Sequence, residues 1–126
     1  LKNLIIKENF EIIVTQNMIN DYAFASKDFN PIHLDEDFAK KSIFKKRIAH
    51  GMLTLSIIME YLYESYSEFW FDDSSIDARF KNPLFAEEKI IISHSEKNIT
   101  ESKKNIKVMC IKENGDEVLI ANLTIN

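Results

Sequence analysis

Residues 28–59 read DFNPIHLDEDFAKKSIFKKRIAHGMLTLSIIM, and their reading decides the fold. An acid and a histidine, Asp28 and His33, stand five residues apart with Asn30-Pro31 between them. A second histidine beside a glycine, His50-Gly51, then opens a strongly apolar run. That run predicts a helix from about Gly51 to about Tyr66. Met52, Leu53, Leu55, Ile57, Ile58 and Met59 leave its first turns apolar nearly all round, which predicts a helix enclosed by protein. Glu60 and Glu64, four apart on one face, predict that the far end reaches water.

Upstream, Phe10 to Val14 is rich in β-branched residues and reads as a strand. Thr15 is a natural N-cap for a helix over about 16–26, with Met18, Ile19, Tyr22, Ala23 and Ala25 as its apolar stripe. Proline pushes the residue before it out of the α region, so Asn30-Pro31 predicts a break over Lys27 to Pro31. Asp35 then caps a short helix through Lys41 that is expected to bury Phe38. Ser42 to Ala49 reads as a loop carrying Lys45-Lys46-Arg47.

Downstream, residues 67–75 read as a connector and the rest as β. Strands are expected at 75–81, 89–97, 104–112 and 118–125. In the third, Ile106, Val108 and Cys110 alternate against Lys107, Met109 and Ile111. Asn114-Gly115 signals a two-residue hairpin turn in which both positions favour positive φ. One strand, then helices, then four strands make an α+β fold, an antiparallel sheet on a buried helix, expected as a single domain over 1–126. Such a sheet has edges and an open face, which favours pairing with a second copy.

Composition narrows the function classes. The chain has 126 residues, a net charge of −4 and one cysteine. The acidic balance argues against a general nucleic-acid binder. A lone Cys110 excludes an intramolecular disulfide and a cysteine zinc cluster, and it reads as core. No signal-peptide pattern or membrane-length apolar run is visible, so a cytoplasmic protein without a membrane partner is expected.

The chemistry concentrates in the opening stretch. Asp28 alone suits a turn-capping role, and His33 alone a structural one. Together, on a proline-stiffened loop, they can hold one water for acid–base work near neutral pH. Gly51 either serves only the turn into the helix or leaves its N–H free to polarise a carbonyl, aided by the helix dipole. Lys45, Lys46 and Arg47 either form a solvated loop or meet phosphates or an acidic carrier. His94, in an alternating strand, reads as a surface or cross-strand residue.

The DxNPxH pattern (Asp28, Asn30, Pro31, His33), with His50-Gly51-Met52 after it and Arg79-Phe80-Lys81-Asn82-Pro83-Leu84-Phe85 later, resembles the MaoC-like, hydratase-2 group. These are (R)-specific enoyl-CoA hydratases and dehydratases with the hot-dog fold. The resemblance implies a curved antiparallel sheet wrapped around the long helix, and a homodimer or dimer of dimers with sites between subunits. It implies that Asp28 and His33 hold the water added syn across a trans-2-enoyl thioester, or removed from a (3R)-hydroxyacyl thioester, while the Gly51 N–H binds the thioester carbonyl. Asn30, His50, Met52 and Ser56 would line the substrate site. Neither metal nor cofactor is implied, since coenzyme A or acyl carrier protein phosphopantetheine is the substrate's own handle. The sequence departs from the family pattern at three places. Lys27 replaces a glycine before the acid, Ala86-Glu87-Glu88 replaces a Gly-Asp turn near the rim, and Met59 replaces a polar helix residue, with Ser56 one turn earlier as a substitute partner. Two alternatives stand beside this reading, a non-catalytic acyl-thioester binding module and a hot-dog thioesterase. Pocket depth is expected to depend on Met52, Leu55, Met59, Trp70 and Phe71.

Overall fold

The computed structural model describes residues 9–66 and 73–126. Along the chain run β1 (Asn9–Val14), α1 (Gln16–Ser26), α2 (Pro31–Leu34), α3 (Glu36–Lys40) and α4 (Gly51–Tyr66). The strands β2 (Ser74–Phe80), β3 (Glu88–Asn98), β4 (Lys104–Lys112) and β5 (Glu117–Ile125) follow. They form one five-stranded sheet in the order β1-β3-β4-β5-β2, with every pairing antiparallel. This is the hot-dog arrangement: α4 is the filling and the sheet is the wrapping.

Alternation sets which face meets the helix. Ile90 and Ile92 of β3, Ile106, Val108 and Cys110 of β4, and Leu119, Ala121 and Leu123 of β5 are buried on one face. From α4, Leu53, Thr54, Ile57, Ile58, Tyr61, Leu62 and Tyr66 are buried and complete the same core. Burial of this kind is the main favourable term in the fold. Cys110 is fully buried, and that burial pushes its thiol up to about 12.

The enclosure expected for α4 is incomplete within one chain. Met52 and Tyr63 are 54% and 44% exposed, and Ser56 and Glu60 lie on the same open side. A helix buries only the stripe its sheet can reach, and nothing in the described chain covers the opposite stripe. Glu60 and Glu64 do face solvent as expected.

Helix α1 begins and ends where expected. The Thr15 hydroxyl accepts the Met18 N–H at 3.1 Å, and Lys27 closes the helix at φ 66, ψ 20. Lys27 therefore sits in the left-handed conformation that glycine adopts freely and an L side chain resists. Glu87, at φ 71, does the same at the rim. Both departures from the family pattern thus place a bulky residue at a left-handed position. Glu87 compensates, because its carboxylate accepts the Gln16 N–H at 2.8 Å and caps the first turn of α1.

Four local expectations need correction. Phe38 is 49% exposed, and Ala39 is the residue that α3 buries, because a five-residue helix turns only one narrow face inward. The break expected over Lys27 to Pro31 ends one residue early, because Pro31 opens the short helix α2, where its missing N–H costs nothing. At the β4–β5 hairpin, Gly115 has φ 95 but Asn114 is not at positive φ. The Gly115 N–H bonds Lys112 C=O, and Lys112 N–H bonds Asp116 C=O, each at 2.9 Å. That makes a three-residue connection closed by one left-handed glycine rather than a two-residue turn. His94 faces inward on β3, and its Nδ1 shares a hydrogen bond with the Tyr61 hydroxyl. The connector expected at 67–75 lies outside the described residues as far as 72, and Ser74 already belongs to β2.

Candidate active site

The loop between α1 and α2 orders itself through short polar links. Asp28 N–H bonds the Ser26 hydroxyl at 3.2 Å, and Asn30 N–H bonds an Asp28 carboxylate oxygen at 3.2 Å. The Asn30 side chain in turn accepts the Ile32 N–H at 3.1 Å and caps α2. Asp28 thus serves the turn with one carboxylate oxygen and leaves the other available, since a carboxylate has about four acceptor positions. Asn30 shapes the loop, and α2 presents His33 from its last turn.

His33 is buried to 9% exposure, and its Nδ1 lies 2.8 Å from the Ile48 carbonyl oxygen. A carbonyl only accepts, so Nδ1 carries the proton and Nε2 of the neutral ring is a bare lone pair. Ile48 is fixed in turn, its N–H on Ile32 C=O at 3.2 Å and its backbone bridged to Phe85. His50 stacks on His33 with ring centroids 3.7 Å apart and planes 25° apart. Its Nε2 donates to the Asp28 carbonyl at 3.1 Å, and Tyr22 meets its ring edge-on at 4.9 Å. Burial holds the His50 imidazole below the usual histidine range and the His33 ring adds to the drop, while the Asp28 carbonyl and carboxylate oppose it.

One carboxylate oxygen of Asp28 and one ring nitrogen each from His33 and His50 lie within 4.8 Å of one another. A water hydrogen-bonded to two groups at about 2.8 Å and a tetrahedral angle spans about 4.6 Å. Asp28 and His33 are therefore no farther apart than about the span of one shared water. The trio makes a poor metal cage, because stacked rings aim their nitrogens side by side rather than at one centre.

Gly51 is the first residue of α4, where amides lack an acceptor within the helix. A Cβ built on Gly51 would lie 2.9 Å from Cε1 of Phe80, so the glycine admits the Phe80 ring against the helix start. Beside it opens a cavity of about 270 Å³ lined by Phe44, Ile48, Thr54, Phe80, Leu84 and Val118, among others. Met52 and Ser56 lie on the open stripe of α4, and the Ser56 hydroxyl is tied to Met52 C=O at 2.8 Å. Of the five residues expected to set pocket depth, none lines this cavity among the described residues, and Trp70 and Phe71 fall outside them. Sequence reasoning missed Phe80 as a neighbour of Gly51 and the Ile48 carbonyl as the anchor of His33. A backbone carbonyl leaves no signature in side-chain chemistry.

Among the described residues, no helix is long and apolar enough to cross a membrane. The family model for the MaoC like domain matches residues 6–117. An (R)-specific enoyl-CoA hydratase of Rhodospirillum rubrum is 43% identical over 49 residues, which is 39% of this chain and 34% of that enzyme. A 3-hydroxybutyryl-CoA dehydratase of Methylorubrum extorquens is 25% identical over 107 residues, 85% of this chain and 68% of that protein. The solved (R)-hydratase of A. caviae superposes with a TM-score of 0.80 at 21% identity, covering 93% of this chain and 91% of its own. That likeness is one of fold. The matches to the R. rubrum enzyme and to a mitochondrial dehydratase of Arabidopsis thaliana span 34% and 43% of those proteins. With its fold, its DxNPxH loop and a family match over nearly its whole length, the chain belongs to the MaoC-like domain family.

Proposed function

We propose that this chain catalyses (R)-specific hydration of trans-2-enoyl thioesters, or the reverse dehydration of (3R)-hydroxyacyl thioesters. One observation carries the proposal. An Asp28 carboxylate oxygen and a His33 ring nitrogen lie within 4.8 Å of each other, and the Ile48 carbonyl holds the ring through Nδ1. In this reading the pair holds a water over the double bond. As its oxygen attacks Cβ, one partner takes a water proton, and a proton is delivered to Cα on the same face. The Gly51 N–H receives the thioester oxygen and stabilises the enolate-like charge, with the start of α4 adding partial positive charge. The acyl chain enters the cavity beside Phe80. Asn30 and His50 support the loop behind the acid, and Met52 and Ser56 face the substrate from α4 where a second copy covers the open stripe. The minimal unit is a homodimer or a dimer of dimers. The carrier, coenzyme A or a phosphopantetheine protein, belongs to the substrate, and no further cofactor enters the reaction.

Loss of the enoyl-thioester absorbance with crotonyl-CoA and a longer enoyl-CoA tests the proposal. Asp28→Asn and His33→Ala are each expected to reduce kcat by a factor of about 10² or more, the usual scale for a positioned acid or base. Full activity in either variant contradicts the roles assigned. Release of free thiol in place of hydration favours a hot-dog thioesterase, and tight binding without turnover a non-catalytic acyl-thioester module.

A further inference from the structure

We infer that the surface formed by Lys40, Lys41, Lys45, Lys46 and Arg47 docks an acidic protein that presents the acyl thioester on a phosphopantetheine arm. The inference rests on the thioester reading above and names the carrier that the reading leaves open.

Charge is the first support. The chain is acidic overall, at −4, yet five of its sixteen lysines and arginines fall within residues 40–47. The described ion pairs engage Lys89, Lys104 and Lys112. None of the five has an ion-pair partner among the described residues. Lys40, Lys41, Lys45 and Lys46 are exposed, and four of the five line a depression of about 320 Å³ with Phe85 and Ala86. Its acids are Glu36 and Glu87, and the Glu87 carboxylate is already committed to capping α1. An unpaired basic surface on an acidic molecule steers an acidic partner to one place and repels it elsewhere.

The apolar residues within the patch are the second support. Ile43, 87% exposed, lies in sequence between Lys41 and Lys45, and Phe38, 49% exposed, lies between Asp37 and Lys40. Phosphates of a small carrier are satisfied by cations and gain nothing from an exposed isoleucine. A protein face gains from both, since apolar contacts become buried at the centre of an interface while charges ring its rim.

Position is the third support. Arg47 directly precedes Ile48, whose carbonyl fixes His33, and the Arg47 carbonyl accepts the Ala86 N–H at 3.2 Å. Phe44 and Ile48 line the cavity beside Gly51. The basic depression and that cavity therefore flank the same segment, so an arm extended from a protein docked on the patch has its thioester end at the site.

The test measures binding and turnover separately. Binding of a holo acyl carrier protein is followed by calorimetry at low and high salt, for the wild type, Lys45→Glu/Lys46→Glu and Ile43→Ser. Charge reversal is expected to weaken binding at least tenfold and to remove most of its salt dependence. Ile43→Ser is expected to weaken it several-fold at either salt. Turnover is compared on crotonyl-acyl carrier protein, crotonyl-CoA and crotonyl-N-acetylcysteamine, which has neither protein nor phosphate. Charge reversal is expected to lower kcat/KM at least tenfold on the first and to change the third by less than twofold. An equal loss on crotonyl-CoA overturns the inference in favour of a phosphate site for a small carrier. Unchanged carrier binding overturns it outright, as does sensitivity confined to co-sedimentation with anionic phospholipid vesicles. If the wild type turns over none of the three thioesters but binds the carrier through these residues, the docking surface stands and the hydration reading fails.

Discussion

His33 and His50 lie face to face, and the His33 ring adds to the lowering of His50. His50 is buried and held below the histidine range, chiefly by desolvation. His94, half-buried against Tyr61 and Tyr66, is lowered for the same reason. A histidine with a folded pKa below its unfolded value contributes stability that is present above about pH 6.5 and lost as pH falls through the folded value. The unfolding free energy is therefore expected to decline between pH 7 and pH 5. His50→Phe, which keeps an aromatic ring on His33, should flatten that decline in urea titrations at several pH values. An unchanged slope would remove His50 from the explanation. Lys27 is the other residue under local strain, and Lys27→Gly is expected to raise stability by about 1 kcal/mol, read as a higher Tm. The acid, the histidine and the glycine were legible in the sequence because their chemistry is written in their side chains. The stacking of His50 on His33 was not, since it depends on two elements meeting through Ile48.

Among the elements, α4 determines most. Its bounds and its polar end were legible because its apolar run is long and unbroken, and its capped neighbour α1 was legible for its Thr15 signal. The four-residue α2 was not, because a proline reads as a breaker when it also starts a turn of helix. Ile58 is fully buried at the centre of α4, so Ile58→Ala is expected to cost about 3 kcal/mol in denaturant unfolding. A loss under 1 kcal/mol would mean that the helix is not the centre of the core. At its first residue, Gly51→Ala drives a methyl into the Phe80 ring and is expected to lower both Tm and enoyl turnover. Phe80→Ala in the same chain should restore the Tm. If it does not, the glycine is needed for its backbone and not for the close approach of the ring.

At the scale of the whole molecule, an antiparallel sheet covers one side of α4 and leaves Met52 and Ser56 on the other. A second copy laid over that stripe is the arrangement the proposed function requires, and sedimentation equilibrium is expected to give a dimer at micromolar concentration. The order of the strands was not legible in the sequence. Alternation fixes which face of a strand is buried but not which strand is its neighbour, and β1 reaches past all the helices and β2 to pair with β3, Asn9 opposite Ser93. The central claim concerns the pair on the α1–α2 loop: Asp28 and His33 deliver both parts of one water to the same face of an enoyl thioester. It is tested most directly by hydrating crotonyl-CoA in D₂O with the wild-type protein and examining the product by NMR and chiral analysis. The account predicts a (3R)-hydroxy product with one deuterium at Cα, added syn to the hydroxyl. A (3S) product, anti addition, or thiol release without hydration would contradict it.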